Sequence, residues 1–287
     1  MAHENVGKIP KRQNDSHKGD YGTVFVIAGS LGMTGAAYLA SEGALQAGSG
    51  LVINGIPESL NAIMEVKLTE VMTFPLPENK NKSLSSKALP AILGCVAESD
   101  VVAMGPGLGG DKDTYELVKT LIGKIDCPLV LDADGINALE GNIDMLKARD
   151  AATVITPHPG EMARLTGQEV SAIQADREGA AAKLAASAGV VVCLKGHETV
   201  VASPDGSVYI NDTGNSGMAT GGTGDVLTGM VASFIGQGVD IFDAAISAVY
   251  LHGSAGDIAA EDVGPFSLTA VDVLDSLPDA FHKAGLG

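Results

Sequence analysis

With 287 residues, 45% of them hydrophobic, the chain is long enough to bury the core of one large α/β domain or two small ones. Its formal net charge of -17 argues against nucleic acid or an anionic membrane as a partner, because both would repel the protein. Cys95, Cys127 and Cys193 form no paired motif, and residues 1–19 lack the apolar stretch of a signal peptide, so we expect reduced thiols and a cytoplasmic location.

Short apolar runs rich in Val and Ile recur along the chain, and each ends near Gly, Asp or Pro. They are too short for helices and predict buried parallel strands. The segments between them are rich in Ala and Leu and predict helices. This alternation predicts an α/β fold with a mostly parallel central sheet flanked by helices. The predicted strands are residues 23–28, 51–54, 101–104, 129–131, 153–156 and 190–194, and the predicted helices are residues 34–47, 113–121 and 171–187.

Beyond these segments the pattern changes. Residues 199–203 and 207–210 flank Pro204-Asp205-Gly206, which predicts a small antiparallel hairpin. Residues 226–237 and 241–260 predict two further helices. We expect one domain over residues 18–287, preceded by a polar tail over residues 1–17.

The strongest local signal is the glycine-rich turn from Thr220 to Asp225, directly before an apolar helix. Closely spaced glycines let backbone N–H groups converge, and a helix start adds a positive dipole end. We therefore predict an anion hole for phosphate at Gly222, Thr223 and Gly224. Asp225 is placed to take a proton from a substrate hydroxyl or to hold a cation. The alternative is a ligand-free helix start, with Thr223 as its cap.

Other polar or glycine-rich clusters follow predicted strands. Residues 105–110 formally match GxGxxG, although a tight turn explains them nearly as well. Asp132 and Asp134 suit Mg²⁺-bound water or ribose hydroxyls, or else an Asx-type turn. Because strand carboxyl ends share one rim of an open α/β sheet, we treat these clusters as one site.

Two basic side chains also follow predicted strands. His158 is held between two prolines, as positioned ligand contacts often are, but a structural role is equally expected. Lys195 either faces phosphates or is a solvated turn residue. His252 lies within a predicted helix, and we expect it to serve packing.

The ordered set of motifs resembles the ADP/ATP-dependent NAD(P)H-hydrate dehydratases, which belong to the ribokinase-like superfamily. The resemblance covers roughly residues 18–277. Gly-Thr-Gly-Asp marks only the superfamily, whereas Thr-Pro-His-Pro-Gly-Glu together with Lys-Gly-Asp-Tyr-Gly is more specific. The matching segments are residues 17–22, 28–30, 35–37, 105–109, 131–137, 156–161, 195–196 and 221–225.

This resemblance implies a ribokinase-like fold and a repair reaction on hydrated NADH or NADPH (NADHX or NADPHX). The terminal phosphate of ADP or ATP would move to the ring hydroxyl, and elimination of phosphate would restore the double bond. Asp225 would be the catalytic base beside the anion hole. The resemblance assigns Ala36, Gly107, His158, Asn137 and Asp225 to the dinucleotide substrate, and Lys195, Gly196, His197, Glu198, Thr199 and Gly224 to the adenine nucleotide.

The resemblance also implies a Mg²⁺ requirement, for which we assign no protein ligands, a homotetramer, and a separate epimerase as functional partner. Three alternatives remain. A ribokinase-like kinase of a vitamin-precursor alcohol would share residues 221–225, and an NAD-dependent oxidoreductase would use residues 105–110. A nucleotide-sensing protein would bind without turnover.

Overall fold

A nine-stranded sheet forms the centre of the molecule in the computed structural model, which describes residues 4–6 and 8–286. Its spatial order is β3-β2-β1-β4-β5-β6-β7-β8-β9. Neighbours are parallel from β3 to β7, and β8 and β9 complete an antiparallel hairpin. The predicted sheet and hairpin are thereby confirmed. The strands are β1 (Thr23–Ile27), β2 (Leu51–Pro57), β3 (Met72–Leu76), β4 (Val101–Met104), β5 (Leu129–Leu131), β6 (Thr153–Ile155), β7 (Val191–Leu194), β8 (Val200–Ala202) and β9 (Val208–Ile210).

Burial explains which strands the sequence revealed. Every residue of β4 to β7 is buried, as continuous Val and Ile runs predict for a sheet covered on both faces. The sequence analysis missed β3, which lies at the edge of the sheet. Met72 is 44% exposed there, and Pro75 lies within the strand. Edge strands tolerate proline and carry a weaker apolar pattern.

Helices cover both faces of the sheet. One hydrophobic cluster joins the sheet to α1, α2 and α10 to α13, and a second joins the opposite face to α3 to α9. The helices are α1 (Thr34–Gln46), α2 (Asn61–Lys67), α3 (Leu89–Val96), α4 (Lys112–Ile122), α5 (Ala133–Asn137), α6 (Asp144–Lys147), α7 (Pro159–Thr166), α8 (Val170–Ala175), α9 (Arg177–Ala188), α10 (Thr223–Gly236), α11 (Ile241–Val263), α12 (Ala270–Asp275) and α13 (Leu277–Lys283).

The predicted single helix over residues 171–187 is wrong, because the structure divides it into α8 and α9. Asp176 lies between them, and its carboxylate accepts a hydrogen bond from the Gly179 backbone N–H at 2.9 Å. This contact starts a new helix, since Asp is a strong N-cap.

Two glycines bring α1 and α10 unusually close. A Cβ added at Gly229 would lie 2.0 Å from the Ala40 carbonyl oxygen, and one added at Gly43 would lie 2.5 Å from that of Val226. The backbones therefore touch where any side chain would separate them. This packing fixes the axis of α10, and with it the glycine-rich turn at its start.

The N-terminal segment contributes to the core. Val6 and Ile9 are buried. Residues 1–3 and 7, which fall in the segment predicted as a polar tail, lie outside the described residues, and the proposed domain boundary stays a prediction. The three cysteines are free, and Cys193 is buried. Within residues 4–6 and 8–286, no helix has the length and hydropathy needed to cross a bilayer.

Candidate active site

Three parallel strands deliver charged side chains to one rim of the sheet. Asp132 follows β5, Glu161 lies in the first turn of α7 after β6, and Lys195 follows β7. The Lys195 Nζ lies 2.5 Å from Asp132 Oδ1 and 4.0 Å from Glu161 Oε2. The predicted convergence of separate strand ends is thus observed, and the alternative of Lys195 as a solvated turn residue is wrong.

Asp132 is buried at the centre of this group of charges, and both of its carboxylate oxygens have partners. It is 1% exposed, and Thr228 Oγ1 donates to its second carboxylate oxygen at 2.8 Å. Burial lowers the pKa of Lys195, but Asp132 and Glu161 outweigh this effect, so the net pKa is raised and the lysine stays charged. Each buried charge is therefore matched by a partner, as burial of ions requires.

The glycine-rich turn leaves backbone amides free at the start of α10. Gly222, at φ 100°, is the residue before the helix, and Asp225 N–H donates to its carbonyl at 3.0 Å. Among the described residues, no group accepts a hydrogen bond from the N–H of Thr223 or Gly224. Thr223 Oγ1 instead donates to the Met218 carbonyl, so the alternative of a Thr223 cap is wrong. The helix start keeps two unused donors, as an anion hole requires.

Asp225 lies half-buried beside these amides. Burial and the negative charge of Asp132, opposed by Lys195, together raise the pKa of its carboxyl to about 7. A carboxylate with this pKa is suited to exchange a proton near neutral pH. Among the described residues, none donates a hydrogen bond to it, which leaves both oxygens available to a ligand.

His252 supports the same turn from behind. It is buried on α11, and its Nε2 lies 2.8 Å from the Thr223 carbonyl oxygen. Burial lowers its pKa to about 4, so the ring is neutral and Nε2 carries the proton that it donates. The predicted packing role is incomplete, because His252 also holds the backbone of the anion hole.

A cavity of about 670 Å³ opens beside the anion hole. It is walled by the segment after β7, by residues 211–219 and by α11. Thr223 and His252 line it, as does every residue predicted to bind the adenine nucleotide. Those predicted residues are Lys195, Gly196, His197, Glu198, Thr199 and Gly224. Its volume is in the range of small-molecule sites, and the structure places the predicted nucleotide residues in one space.

The residues predicted for the dinucleotide lie partly around the loop after β4. A Cβ added at Gly107, which has φ 62°, would lie 3.0 Å from the Ala36 Cβ, so these two residues are neighbours. Part of this loop's donor capacity is used internally. Gly105 N–H donates to the Ile27 carbonyl, Leu108 N–H to the Gly105 carbonyl, and Gly109 N–H to Asp134 Oδ2 at 2.8 Å. Among the described residues, no group accepts a hydrogen bond from the N–H of Gly107 or Gly110, so the loop keeps donors that a ligand could use.

His158 caps α7 in a defined tautomer. Its Nδ1 accepts hydrogen bonds from Gly160 N–H at 3.0 Å and Glu161 N–H at 3.3 Å, and Glu161 Oε2 accepts from the His158 N–H. Burial lowers the pKa of the ring, as do Lys195 and Arg164, so Nε2 carries the proton. The half-exposed imidazole thus offers one N–H donor in a fixed direction.

A chain of side-chain hydrogen bonds connects α7 to the loop after β4. Asn137 Oδ1 accepts from Arg164 Nε at 3.0 Å and from Arg164 Nη2 at 2.9 Å. Asn137 Nδ2 donates to Asp134 Oδ1 at 3.3 Å. Ala133, at φ 47°, lies in the left-handed region between the two aspartates and turns them in different directions. Sequence reasoning missed Arg164, although a basic residue in the last turn of α7 was a visible signal.

The carboxylates do not assemble a metal cage. In the part of the chain that the structure describes, no three His, Cys, Asp or Glu side chains come close enough to hold an ion. Asp132 and Asp134 already accept hydrogen bonds on both oxygens.

Comparison with known proteins agrees with this geometry. Residues 24–279 match the family model described as NAD(P)H-hydrate dehydratase. The chain is 49% identical over 271 residues to a bifunctional NAD(P)H-hydrate repair enzyme of Moorella thermoacetica, covering 94% of this chain and 51% of that protein. It is 40% identical over 258 residues to an ADP-dependent (S)-NAD(P)H-hydrate dehydratase of Neisseria meningitidis, covering 88% and 82%. The chain spans about half the length of the first curated relatives that it matches.

Solved structures agree as well. The ADP/ATP-dependent NAD(P)H-hydrate dehydratase of Bacillus subtilis, co-crystallised with ATP and Mg²⁺, superimposes with a TM-score of 0.83 at 32% identity, covering 98% of this chain and 96% of that one. A ribokinase-like protein of Enterococcus faecalis gives 0.83 at 25%, covering 99% and 98%. The fold is therefore ribokinase-like. A hydroxyethylthiazole kinase of Pyrococcus horikoshii, at 15% identity and 0.62, covers 91% of both chains and shares the fold alone.

Proposed function

Because the chain belongs to the NAD(P)H-hydrate dehydratase family, we propose that it dehydrates the S form of NADHX or NADPHX at the expense of ADP or ATP. The observation that carries this proposal is the pair of unused amides at Thr223 and Gly224 beside Asp225. Transfer of a phosphoryl group to a hydroxyl requires N–H donors for the phosphate oxygens. It also requires a carboxylate beside them that titrates near neutrality.

The proposed chemistry begins with proton removal. Asp225 takes the proton of the ring hydroxyl, and the hydroxyl oxygen forms a bond to the terminal phosphorus of the nucleotide. The bond from that phosphorus to the leaving nucleotide breaks, so ADP yields AMP and ATP yields ADP. The amides of Thr223 and Gly224 stabilise the charge that develops on the phosphoryl oxygens.

Elimination completes the reaction. Inorganic phosphate departs with the electron pair of the C–O bond, and the neighbouring ring carbon loses a proton to form the C=C bond. A hydroxyl leaves poorly and a phosphate leaves well, which gives the nucleotide its role. Since the product is NADH or NADPH, the net change is loss of water coupled to hydrolysis of a phosphoanhydride.

The two ligands would occupy opposite sides of Asp225. We assign the part of the cavity lined by residues 195–199 to the adenine nucleotide and the side containing Ala36, Gly107 and Asn137 to the dinucleotide. His158, which also lines that cavity, lies between the two parts and is assigned to the dinucleotide. Lys195 lies beside Gly224, since a Cβ there would be 3.2 Å from its Nζ. The lysine would offset the repulsion between Asp225 and an incoming phosphate.

Mg²⁺ fits this site as a cation that the nucleotide phosphates carry. Asp225 is the carboxylate left free to face it, because Asp132 and Asp134 are engaged elsewhere. When bound, the ion would neutralise charge on the transferring phosphate. A cytoplasmic location, a homotetramer and a separate epimerase stay predictions.

The kinase alternative shares the helix start but lacks the family match. The oxidoreductase alternative lacks the family match as well. A single assay distinguishes the proposed dehydratase from the three alternatives. The protein is incubated with NADHX and ADP, or ATP, while dihydronicotinamide absorbance and released phosphate are followed together.

We expect absorbance and phosphate to rise in equal amounts. A stable phosphorylated alcohol formed from another substrate, with no NADHX turnover, would favour the kinase. Hydride exchange without phosphate release would favour the oxidoreductase. Nucleotide binding without turnover would favour the sensing protein.

A further inference from the structure

Arg164 presents an unpaired guanidinium edge at the side of the site assigned to the dinucleotide. Its Nε and Nη2 both donate to Asn137 Oδ1, which fixes the plane of the group. Among the described residues, none accepts a hydrogen bond from Nη1, and none forms an ion pair with this arginine. A rigidly held guanidinium with free N–H groups is well suited to phosphate oxygens.

The position of that edge follows from Gly160. A Cβ added there would lie 2.8 Å from His158 Cε1 and 3.8 Å from Arg164 Nη1, so both side chains flank the same glycine. Asn137 is hydrogen-bonded to Asp134, which in turn accepts a hydrogen bond from the N–H of Gly109. Arg164 therefore lies on the rim between α7 and the loop after β4.

Charge balance indicates what this edge binds. Asp132, Asp134, Glu161 and Asp225 make the surroundings acidic, and Lys195 is committed to Asp132. The chain carries a formal net charge of -17, so an anionic ligand needs local compensation. A dinucleotide brings a pyrophosphate, and its phosphorylated form adds a 2′-phosphate.

We propose that Arg164 binds phosphate oxygens of the dinucleotide substrate and that Asn137 is the positioning residue that orients it. This inference rests on the proposed function. It assigns a recognition role to a side chain that takes no part in phosphoryl transfer. Arg164 supplies affinity for the dinucleotide, while the anion hole and the adenine cavity act on the other ligand.

Direct binding of the reaction products tests the assignment without turnover. NADH and NADPH are titrated separately into wild type, Arg164→Gln and Arg164→Lys, with dihydronicotinamide fluorescence as the signal. The chain contains no Trp, so the protein contributes little background emission. Loss of a charge-assisted hydrogen bond predicts that Arg164→Gln weakens dinucleotide binding about tenfold.

Three further measurements serve as controls for this result. Arg164→Lys should recover part of the affinity, because it keeps the charge but not the planar fork. ADP binding should be unchanged in both variants, which also shows that they fold. Lys147→Gln removes an equal charge from an exposed position on α6 and should leave all affinities unchanged.

The two dinucleotides identify the phosphate. Equal losses for NADH and NADPH assign Arg164 to the pyrophosphate, and a larger loss for NADPH assigns it to the 2′-phosphate. The proposal is overturned if Arg164→Gln binds both within about a factor of two of wild type while ADP binding is intact. If wild type itself binds neither dinucleotide, the proposed function fails together with this inference.

Discussion

Two glycine-rich segments border the site, and they differ in how closely the protein packs around them. Residues 105–110 follow β4, and their glycines allow backbones to touch: a Cβ at Gly105 would lie 1.8 Å from the Asp132 carbonyl oxygen. The amides of Gly105 and Gly109 donate to the Ile27 carbonyl and the Asp134 carboxylate. Residues 220–225 precede α10, and there Thr223 and Gly224 keep their amides free.

The difference shows that glycine content alone does not identify a phosphate site. Open space beside the unpaired donors matters as well. In the segment before α10, Gly221 has no atom within 4 Å of an added Cβ, so open space accompanies the free amides. In the segment after β4, the amides of Gly107 and Gly110 also have no acceptor among the described residues, but a Cβ added at Gly107 would lie 2.8 Å from the Met33 Cβ, so less open space accompanies them. Five substitutions probe this contrast and the residues around it.

The largest effect is expected from Asp225→Asn, beside the free amides. The variant keeps the shape of the side chain and loses its basicity, so turnover should fall by about a thousandfold, with ADP binding retained. Asp262→Asn, at an exposed position on α11, is the matched control and should stay fully active. Turnover of Asp225→Asn within a factor of about ten of wild type would refute the assignment of the base.

The two segments should also differ in their tolerance of a methyl group. Gly105→Ala introduces a clash at φ 135° and should lower the free energy of unfolding by at least about 3 kcal/mol. Gly221→Ala should change it by less than about 0.5 kcal/mol. Denaturant unfolding of both variants measures the contrast. Equal destabilisation would contradict the view that only the first segment is a packing joint.

His252 ties the open segment to the core in its neutral form, which makes stability depend on pH. Its folded pKa of about 4 lies below the ordinary value of 6.5, so the unfolded state binds the proton more readily. The contribution is complete above pH 6.5 and is lost as pH falls towards 4, by roughly 3 kcal/mol.

Wild type and His252→Gln should be unfolded in denaturant across that pH range. Since other groups titrate there too, the difference between the two proteins isolates the histidine. We expect the acid-induced loss to be shallower in the variant. Parallel curves would show that His252 is not the group responsible.

The smallest effect concerns Asp132, which raises the pKa of Asp225. Asp132→Asn removes this negative charge and should shift the acidic limb of the kcat profile to lower pH by about one unit. A profile measured at saturating ligands separates this shift from altered binding. An unchanged or higher apparent pKa would show that Asp132 does not act electrostatically on the base.

The sequence predicted those parts of the fold that depend on continuous burial. The Val and Ile runs of β4 to β7 sit under helices on both faces, so their pattern was unambiguous. The edge strand β3 and the break between α8 and α9 were missed. In both places a local feature, Pro75 or the capping Asp176, overrides the periodic pattern.

The candidate site was predicted as a set of strand ends, but its internal contacts were not. Lys195 and Asp132 are 63 positions apart, and their pairing follows from the order β5-β6-β7, which the sequence does not state. Lys195 was expected to face phosphate, and in the structure its Nζ forms an ion pair with the Asp132 carboxylate. The hydrogen bond of His252 to Thr223 and the contacts of Arg164 were missed for the same reason, since their partners come from other elements.

The wall formed by α11 has a consequence for biosynthesis. Asn211, Gly214 and Thr223 all reach their partners on this helix, at the Val249 carbonyl, the Asp257 carboxylate and the His252 ring. A growing polypeptide that ends between Ile210 and Val249 has every strand of the sheet but lacks the α11 side of the cavity. Binding competence therefore follows completion of the sheet, and ADP would protect chains that contain α11 from proteolysis while leaving shorter nascent chains susceptible.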